Sequence, residues 1–227
     1  MIQMIDVHKS YRTLLGRQVI LKGVNALFPT GRRVGILGGN GAGKSTLIRL
    51  LAGVEPLNAG RIRRQGRISF PLGFGGTFHP NLSGRENVLF LARIYGADER
   101  RVLDFVADFS ELGQYMDMPV ETYSSGMRAK LAFGACLAID FDVFLIDEVT
   151  AVGDARFQAR CHAAFESRLH SSDIIMVTHS LPTIRAYCDC AAVLSGGRLV
   201  MFEALDDAIG AHIAAMRQPP QLTSAAA

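Results

Sequence analysis

The chain has 227 residues, near the size of one ordinary α/β domain, so two large independent domains are excluded and one core with an inserted subdomain is expected. Hydrophobic residues make up 49% and charged residues 20%, enough apolar surface to fold without disulfides or a structural metal, which rules out disorder over most of the length. The net charge of +3 is too small to point to nucleic acid, and none is expected as a partner.

Ile2, Ile5 and Val7, then Val19, Leu21, Val24 and Ala26, alternate loosely around Leu15-Gly16-Arg17, which predicts an antiparallel strand pair. Val34 to Leu37 is a short buried strand running into Gly38-Gly39-Asn40-Gly41-Ala42-Gly43, and Lys44 to Ala52 reads as a helix closed by Gly53. Ser83 with Glu86 forms a capping box ahead of a helix over Asn87 to Tyr95, and a second helix covers Glu99 to Phe109. The hydroxyls of Ser124 and Ser125 open a third, through Lys130, Phe133 and Leu137. Strands return at 143–146, 174–177 and 191–194, spaced widely enough for helical crossovers, so a mostly parallel sheet is expected. Ser195-Gly196-Gly197-Arg198 turns the chain back into Leu199 to Phe202, a helix begins near Asp206, and the last residues lack any apolar period.

Only four of the cations are lysines, Lys9, Lys22, Lys44 and Lys130, so the position of each is informative. The arginines alternate with acids as a solvated surface does. Cys136, Cys161, Cys188 and Cys190 show no CxxC pair and no secreted-framework spacing, which predicts reduced thiols in a cytoplasmic protein. The first twenty residues carry Asp6, His8, Lys9, Arg12 and Arg17 without an apolar segment, so no signal peptide is expected, and no run approaches the ~20 apolar residues of a membrane span.

Gly38-x-x-x-x-Gly43-Lys44-Ser45 matches a phosphate-binding loop, in which small residues let successive backbone N–H groups converge on a triphosphate at a helix start. Lys44 would hold the β- and γ-phosphates, Ser45 would offer a hydroxyl to Mg²⁺, and Thr46 would reach a neighbouring phosphate by backbone or side chain. Asp147 and Glu148 end the strand Val143 to Ile146, where an open parallel sheet presents its ligand site. Asp147 would orient Mg²⁺ directly or through water, and Glu148 would polarise the attacking water; a solvated strand end is the plain alternative.

On these motifs the chain resembles the ATP-binding-cassette ATPases from Met1 to about Ala215. The resemblance implies an α/β P-loop NTPase (RecA-like) core with a mostly parallel sheet, an N-terminal antiparallel β-subdomain and an inserted helical subdomain at about 83–138. It implies one nucleotide-binding domain over 1–215 and a flexible tail over 216–227. Tyr11 falls where the family stacks an aromatic on adenine, although alone it would read as packing. Tyr123-Ser124-Ser125-Gly126-Met127-Arg128 is similar to the family signature, keeping Ser124 and Gly126, and that signature contacts the γ-phosphate held by the opposite subunit. Val152-Gly153-Asp154 matches the loop that links the two nucleotide sites, and Thr178-His179-Ser180 matches the switch histidine that senses the γ-phosphate. A lone histidine after a strand would ordinarily be a surface residue.

The family places a glutamine after the strand near Ile68 to Phe70, and no glutamine occurs between Phe70 and Pro80. The run over 71–87, with Tyr123 to Arg128 and Asp147 to Asp154, looks like the ATPases of polysaccharide exporters. About 25 residues follow the last strand, as in the short capsular type rather than the O-antigen type with an added carbohydrate-binding domain. The resemblance implies ATP and Mg²⁺ as cofactors and a head-to-tail homodimer with ATP at the interface. It also implies a separate integral-membrane ABC-2-type permease and residence at the cytoplasmic face of the inner membrane. The alternatives are another transporter ATPase, for O-antigen, teichoic acid or a small molecule, and a soluble cassette acting on ribosomes or DNA. The soluble forms carry two cassettes or a long coiled coil, and neither is present here.

Overall fold

Two sheets share one helix between them in the computed structural model, which describes residues 1–14, 16–72, 78–147, 155–169, 172–178 and 180–217. The first sheet pairs β1 (Ile2–Thr13) with β2 (Gly16–Phe28) antiparallel, from Ile2 opposite Phe28 to Thr13 opposite Gly16. The pairing shifts register in three places, between Met4 and Val7, between Val7 and Lys9, and between Lys9 and Ser10. The last is a bulge in β2, so Ile20 is buried beside Leu21 while Val19 faces solvent.

The central sheet is built from β3 (Arg33–Leu37), β5 (Val143–Asp147), β6 (Asp173–Val177), β7 (Cys190–Ser195) and β8 (Arg198–Phe202), in the order β5-β6-β3-β7-β8. All pairs are parallel except β7 with β8, whose tight turn at Gly196-Gly197 permits only an antiparallel return. β4 (Ala59–Arg64), which the sequence reading does not include, adds to the free edge of β1. Four of its six residues are Arg or Gly and it stays mostly exposed, so no apolar period marks it.

Ile68 to Phe70 is not a strand. Ile68 and Leu72 make isolated bridges to Val143 and Ile146. Between them the Ser69 hydroxyl, rather than a backbone carbonyl, accepts the Leu145 N–H at 2.9 Å, and Pro71 has no N–H to give.

α1 (Lys44–Ala52) lies between the sheets, with Leu47, Ile48, Leu50 and Leu51 fully buried against β1 and β2 on one side and β3, β5 and β6 on the other. Gly53 closes it with φ 83°, and Arg64 of β4 donates to the carbonyls of Leu50 and Leu51 at 2.5 and 2.7 Å, satisfying the helix end.

The helical block comprises α2 (Gly84–Ile94), α3 (Glu99–Ser110), single 3₁₀ turns at Gly113–Asp117 and Val120–Thr122, and α4 (Ser125–Ala138). Each α-helix starts on a side-chain cap: Ser83 in a reciprocal box with Glu86, Asp98, and Ser124. α4 carries Leu131, Phe133, Cys136 and Leu137 into the core against the other face of the sheet.

α5 (Ala155–Leu169), α6 (Leu181–Tyr187) and α7 (Leu205–Arg217) complete the described elements. Met216 and Arg217, expected in the tail, are the last residues of α7; 218–227 lie outside the described residues. Among the described residues no helix is long and apolar enough to cross a membrane.

Candidate nucleotide site

Gly38 to Gly43 connects the end of β3 to the start of α1, and its shape depends on Gly43, whose φ of 100° is strained for any side chain. A β-carbon there would also overlap Ile20 of β2, so the first sheet packs directly on the loop. Lys44 is only 6% exposed, with its ammonium donating to the carbonyls of Gly38 at 2.8 Å and Gly39 at 2.9 Å. A buried lysine turned back over its own loop is placed for a polyanion, not for packing.

Gly43 offers no side-chain cap to α1, and the first turn of α1 contains no acid. The positive end of the helix is therefore open to phosphate, which fits a nucleoside triphosphate. Ser45 is exposed on the first turn. Thr46 is buried and its hydroxyl accepts from Arg49 Nη2 at 3.3 Å, which leaves the hydroxyl hydrogen to donate.

Across the sheet, Asp147 pairs with Val177, and Val177 pairs with Ile36, two residues before Gly38. The carboxylate and the phosphate loop therefore stand at one end of the sheet, the end at which parallel strands present ligands. Asp147 also donates its N–H to the Leu72 carbonyl at 3.0 Å, tying the segment after Ser69 to this end. Ser45 and Asp147 supply hard oxygen donors, the kind Mg²⁺ takes when substrate phosphates and water complete its shell. Among the described residues no three His, Cys, Asp or Glu side chains cluster as an all-protein metal cage. Thr178 is buried at the end of β6, and its hydroxyl accepts the Ser180 N–H at 3.1 Å. Glu148, Asp154 and His179 lie outside the described residues.

Tyr11, near the end of β1, is half-buried against the core that contains α1. Lys9 stands over its ring with Nζ 4.7 Å from the centroid, and the same ammonium reaches Glu55 Oε1 at 2.5 Å and the Pro56 carbonyl at 2.8 Å. Hydrogen bonding from Lys9, with a smaller part from the Tyr11 hydroxyl, holds the Glu55 carboxyl below its usual range. Sequence reasoning missed Lys9 and Glu55 as neighbours of Tyr11; the rarity of lysine in the chain was the available signal.

The signature residues stand on a separate element. Ser124 accepts the Met127 N–H at 3.2 Å as the cap of α4, which leaves its hydroxyl hydrogen to donate outward, and Ser125 and Gly126 form the exposed to half-exposed first turn. Arg128 folds back to the Tyr123 carbonyl at 2.7 Å, while the Tyr123 side chain is buried beneath. Thus Gly38 to Thr46 and Asp147 come together in one chain, and Ser124 to Gly126 present a second helix start elsewhere.

A glycine-rich phosphate loop on an α/β sheet, with an aspartate on the same sheet end and a second capped helix start, defines a nucleotide-binding cassette. Residues 21–151 match the family described as ABC transporter, and the chain belongs to that family. It is 47% identical over 197 residues to the polysialic acid transport ATP-binding protein KpsT of Escherichia coli, covering 86% of this chain and 90% of that protein. It is 49% identical over 209 residues to the capsule polysaccharide export ATP-binding protein CtrD of Neisseria meningitidis serogroup B, covering 92% and 96%. The ATP-binding cassette MJ0796, solved as a post-hydrolysis dimer bound to ADP and Pi, superposes with a TM-score of 0.74 over 90% of this chain and 99% of that one. At 20% identity, that likeness is one of fold.

Proposed function

We propose that this chain is the ATP-hydrolysing subunit of an ABC exporter that moves a capsular-type surface polysaccharide through a separate ABC-2-type membrane permease. The observation that carries the reading is Lys44 held inside its loop by Gly38 and Gly39, on the sheet end that also bears Asp147. The substrate class is supported by the likeness to KpsT and CtrD, named for polysialic acid transport and capsule polysaccharide export.

Residues 1–215 act as one nucleotide-binding domain with its helical subdomain at 83–138. Tyr11 stacks on adenine, and Gly38, Gly39, Asn40, Gly41, Ala42, Gly43, Lys44, Ser45 and Thr46 surround the phosphates. Ser45 and Asp147 hold Mg²⁺, which neutralises charge on the phosphoryl oxygens when bound. Glu148 takes the proton of the attacking water, and His179 senses the γ-phosphate. A single phosphate loop and a single signature per chain favour a head-to-tail homodimer, in which Ser124, Ser125, Gly126 and Asp154 complete the partner's site. Closure of the dimer on ATP and its reopening after hydrolysis drive the permease from the cytoplasmic face of the inner membrane.

Glu148→Gln, introduced in the host, is expected to keep ATP binding, lower turnover about 100-fold or more, and leave polymer inside the cell. A wild-type ATPase rate would overturn the role of Glu148. Normal surface polymer with a membrane-bound, inactive protein would overturn the polysaccharide as cargo.

A further inference from the structure

Lys9 is 5% exposed, and its ammonium is bound on two sides, by Glu55 and by the Pro56 carbonyl. An ion pair between a buried lysine and a half-buried glutamate adds little net stability, because desolvation of the lysine offsets much of the attraction. What the pair does accomplish is geometric. It fixes one cation over the ring of Tyr11, 4.7 Å from the centroid.

The strand pair that carries Tyr11 also touches the phosphate loop. Tyr11 pairs with Gln18, and Ile20, two residues further along β2, fills the space beside Gly43. We propose that Lys9 is a positioning residue for the nucleotide base: anchored by Glu55 and Pro56, it occupies one face of Tyr11 and presents the opposite face to the purine. The inference rests on the reading of Tyr11 as the adenine platform.

Two physical effects follow from the arrangement. The ammonium restricts the ring to one orientation, so the stacking surface is formed before the ligand arrives. It also draws on the negative face of the ring, which leaves the other face less repulsive to an electron-rich purine. Neither effect acts on the phosphates, which are the business of Lys44 and the open start of α1.

The test is equilibrium binding of ATP and of inorganic tripolyphosphate, which has the phosphates without the base, to the full chain and to Lys9→Met, Glu55→Gln and Tyr11→Ala. Lys9→Met is expected to weaken ATP by roughly 3- to 10-fold, the range of a partly desolvated cation–π contact, and to leave tripolyphosphate unchanged. Glu55→Gln, which removes the ion pair but leaves Lys9 on the Pro56 carbonyl and an amide oxygen for the Tyr11 hydroxyl, is expected to show the same split in smaller measure and serves if Lys9→Met does not fold. The double variant Lys9→Met/Tyr11→Ala should lose no more than Tyr11→Ala alone.

If Tyr11→Ala weakens ATP while Lys9→Met and Glu55→Gln do not, the role of Lys9 is overturned and the platform stands. Equal losses for ATP and tripolyphosphate in the Lys9 and Glu55 variants would make their role structural and overturn the inference as well. Unchanged ATP binding in Tyr11→Ala would overturn the platform and the inference together.

Discussion

Asn87 grips His79 by both ends of one residue: Oδ1 accepts the His79 N–H at 2.8 Å, and Nδ2 donates to the His79 carbonyl at 3.1 Å. The same amide nitrogen reaches the carbonyls of Leu82 at 3.2 Å and Ser83 at 2.9 Å, and the residue is 2% exposed. Asn87 therefore sets the path from the stretch without the family's glutamine into α2. Asn87→Ala would take the acceptor from the His79 N–H and one donor from each of three carbonyls that keep a backbone partner, at a cost of about 1–2 kcal/mol. Urea unfolding should show a lower midpoint at an unchanged slope, and an unshifted midpoint would mean that water replaces the amide.

Tyr123, one residue before Ser124, donates its hydroxyl to the Tyr115 carbonyl, and a β-carbon on Gly84 would run into that hydroxyl oxygen. Gly84→Ala should destabilise by about 1–3 kcal/mol through overpacking. Tyr123→Phe should cost about 1 kcal/mol by removing one hydrogen bond from the Tyr115 carbonyl, which keeps the Met118 N–H. Because loss of the hydroxyl makes room for the methyl, the double variant should be more stable than the sum predicts. Thermal unfolding of the four proteins measures the coupling, and strict additivity would remove the steric explanation.

Lys44→Ala removes the ammonium that Gly38 and Gly39 now hold in the loop. ATP affinity is expected to fall by about 100-fold or more, the equivalent of a charge-assisted contact of roughly 3 kcal/mol. Retained micromolar affinity by isothermal titration calorimetry would refute the phosphate-loop assignment.

Asp189 ties the start of β7 to the start of β3, accepting from Arg33 Nη2 at 2.6 Å and from the Arg33 N–H at 3.0 Å. The Arg33 side chain holds the Asp189 carboxyl below its ordinary value. A carboxyl with a depressed folded pKa stabilises the fold fully above its unfolded value, near about 4, and stops doing so as the pH falls through the folded value. Asp189→Asn should cost about 1 kcal/mol at neutral pH, a modest figure because the pair is partly solvated. The gap between the two proteins in chemical denaturation should close in strong acid, and a gap independent of pH would show that the charge is not what matters.

Much of the fold was legible in order along the chain. α1 begins and ends where the glycine loop and Gly53 place it, the Ser83–Glu86 box forms, and Ser124 caps α4. These signals act within a turn of helix, where propensity and capping decide the outcome whatever the rest of the molecule does. The phosphate loop, too, is local: its glycines, lysine and serine are neighbours in sequence.

What the chain order could not contain is the alignment of distant segments. β4 is an exposed, arginine-rich strand that exists because β1 offers a free edge, and Ile20 replaces Val19 in the core because a bulge in β2 shifts the pairing. Lys9 meets Glu55 across 45 intervening positions, and Asp147 comes level with Ile36 through Val177 of a third strand. Local patterning by itself determined which residues could bind a triphosphate. Tertiary structure alone decided how Asp147 comes level with their strand and what stands behind the tyrosine, since register and edge pairing are set by packing between segments far apart in the chain.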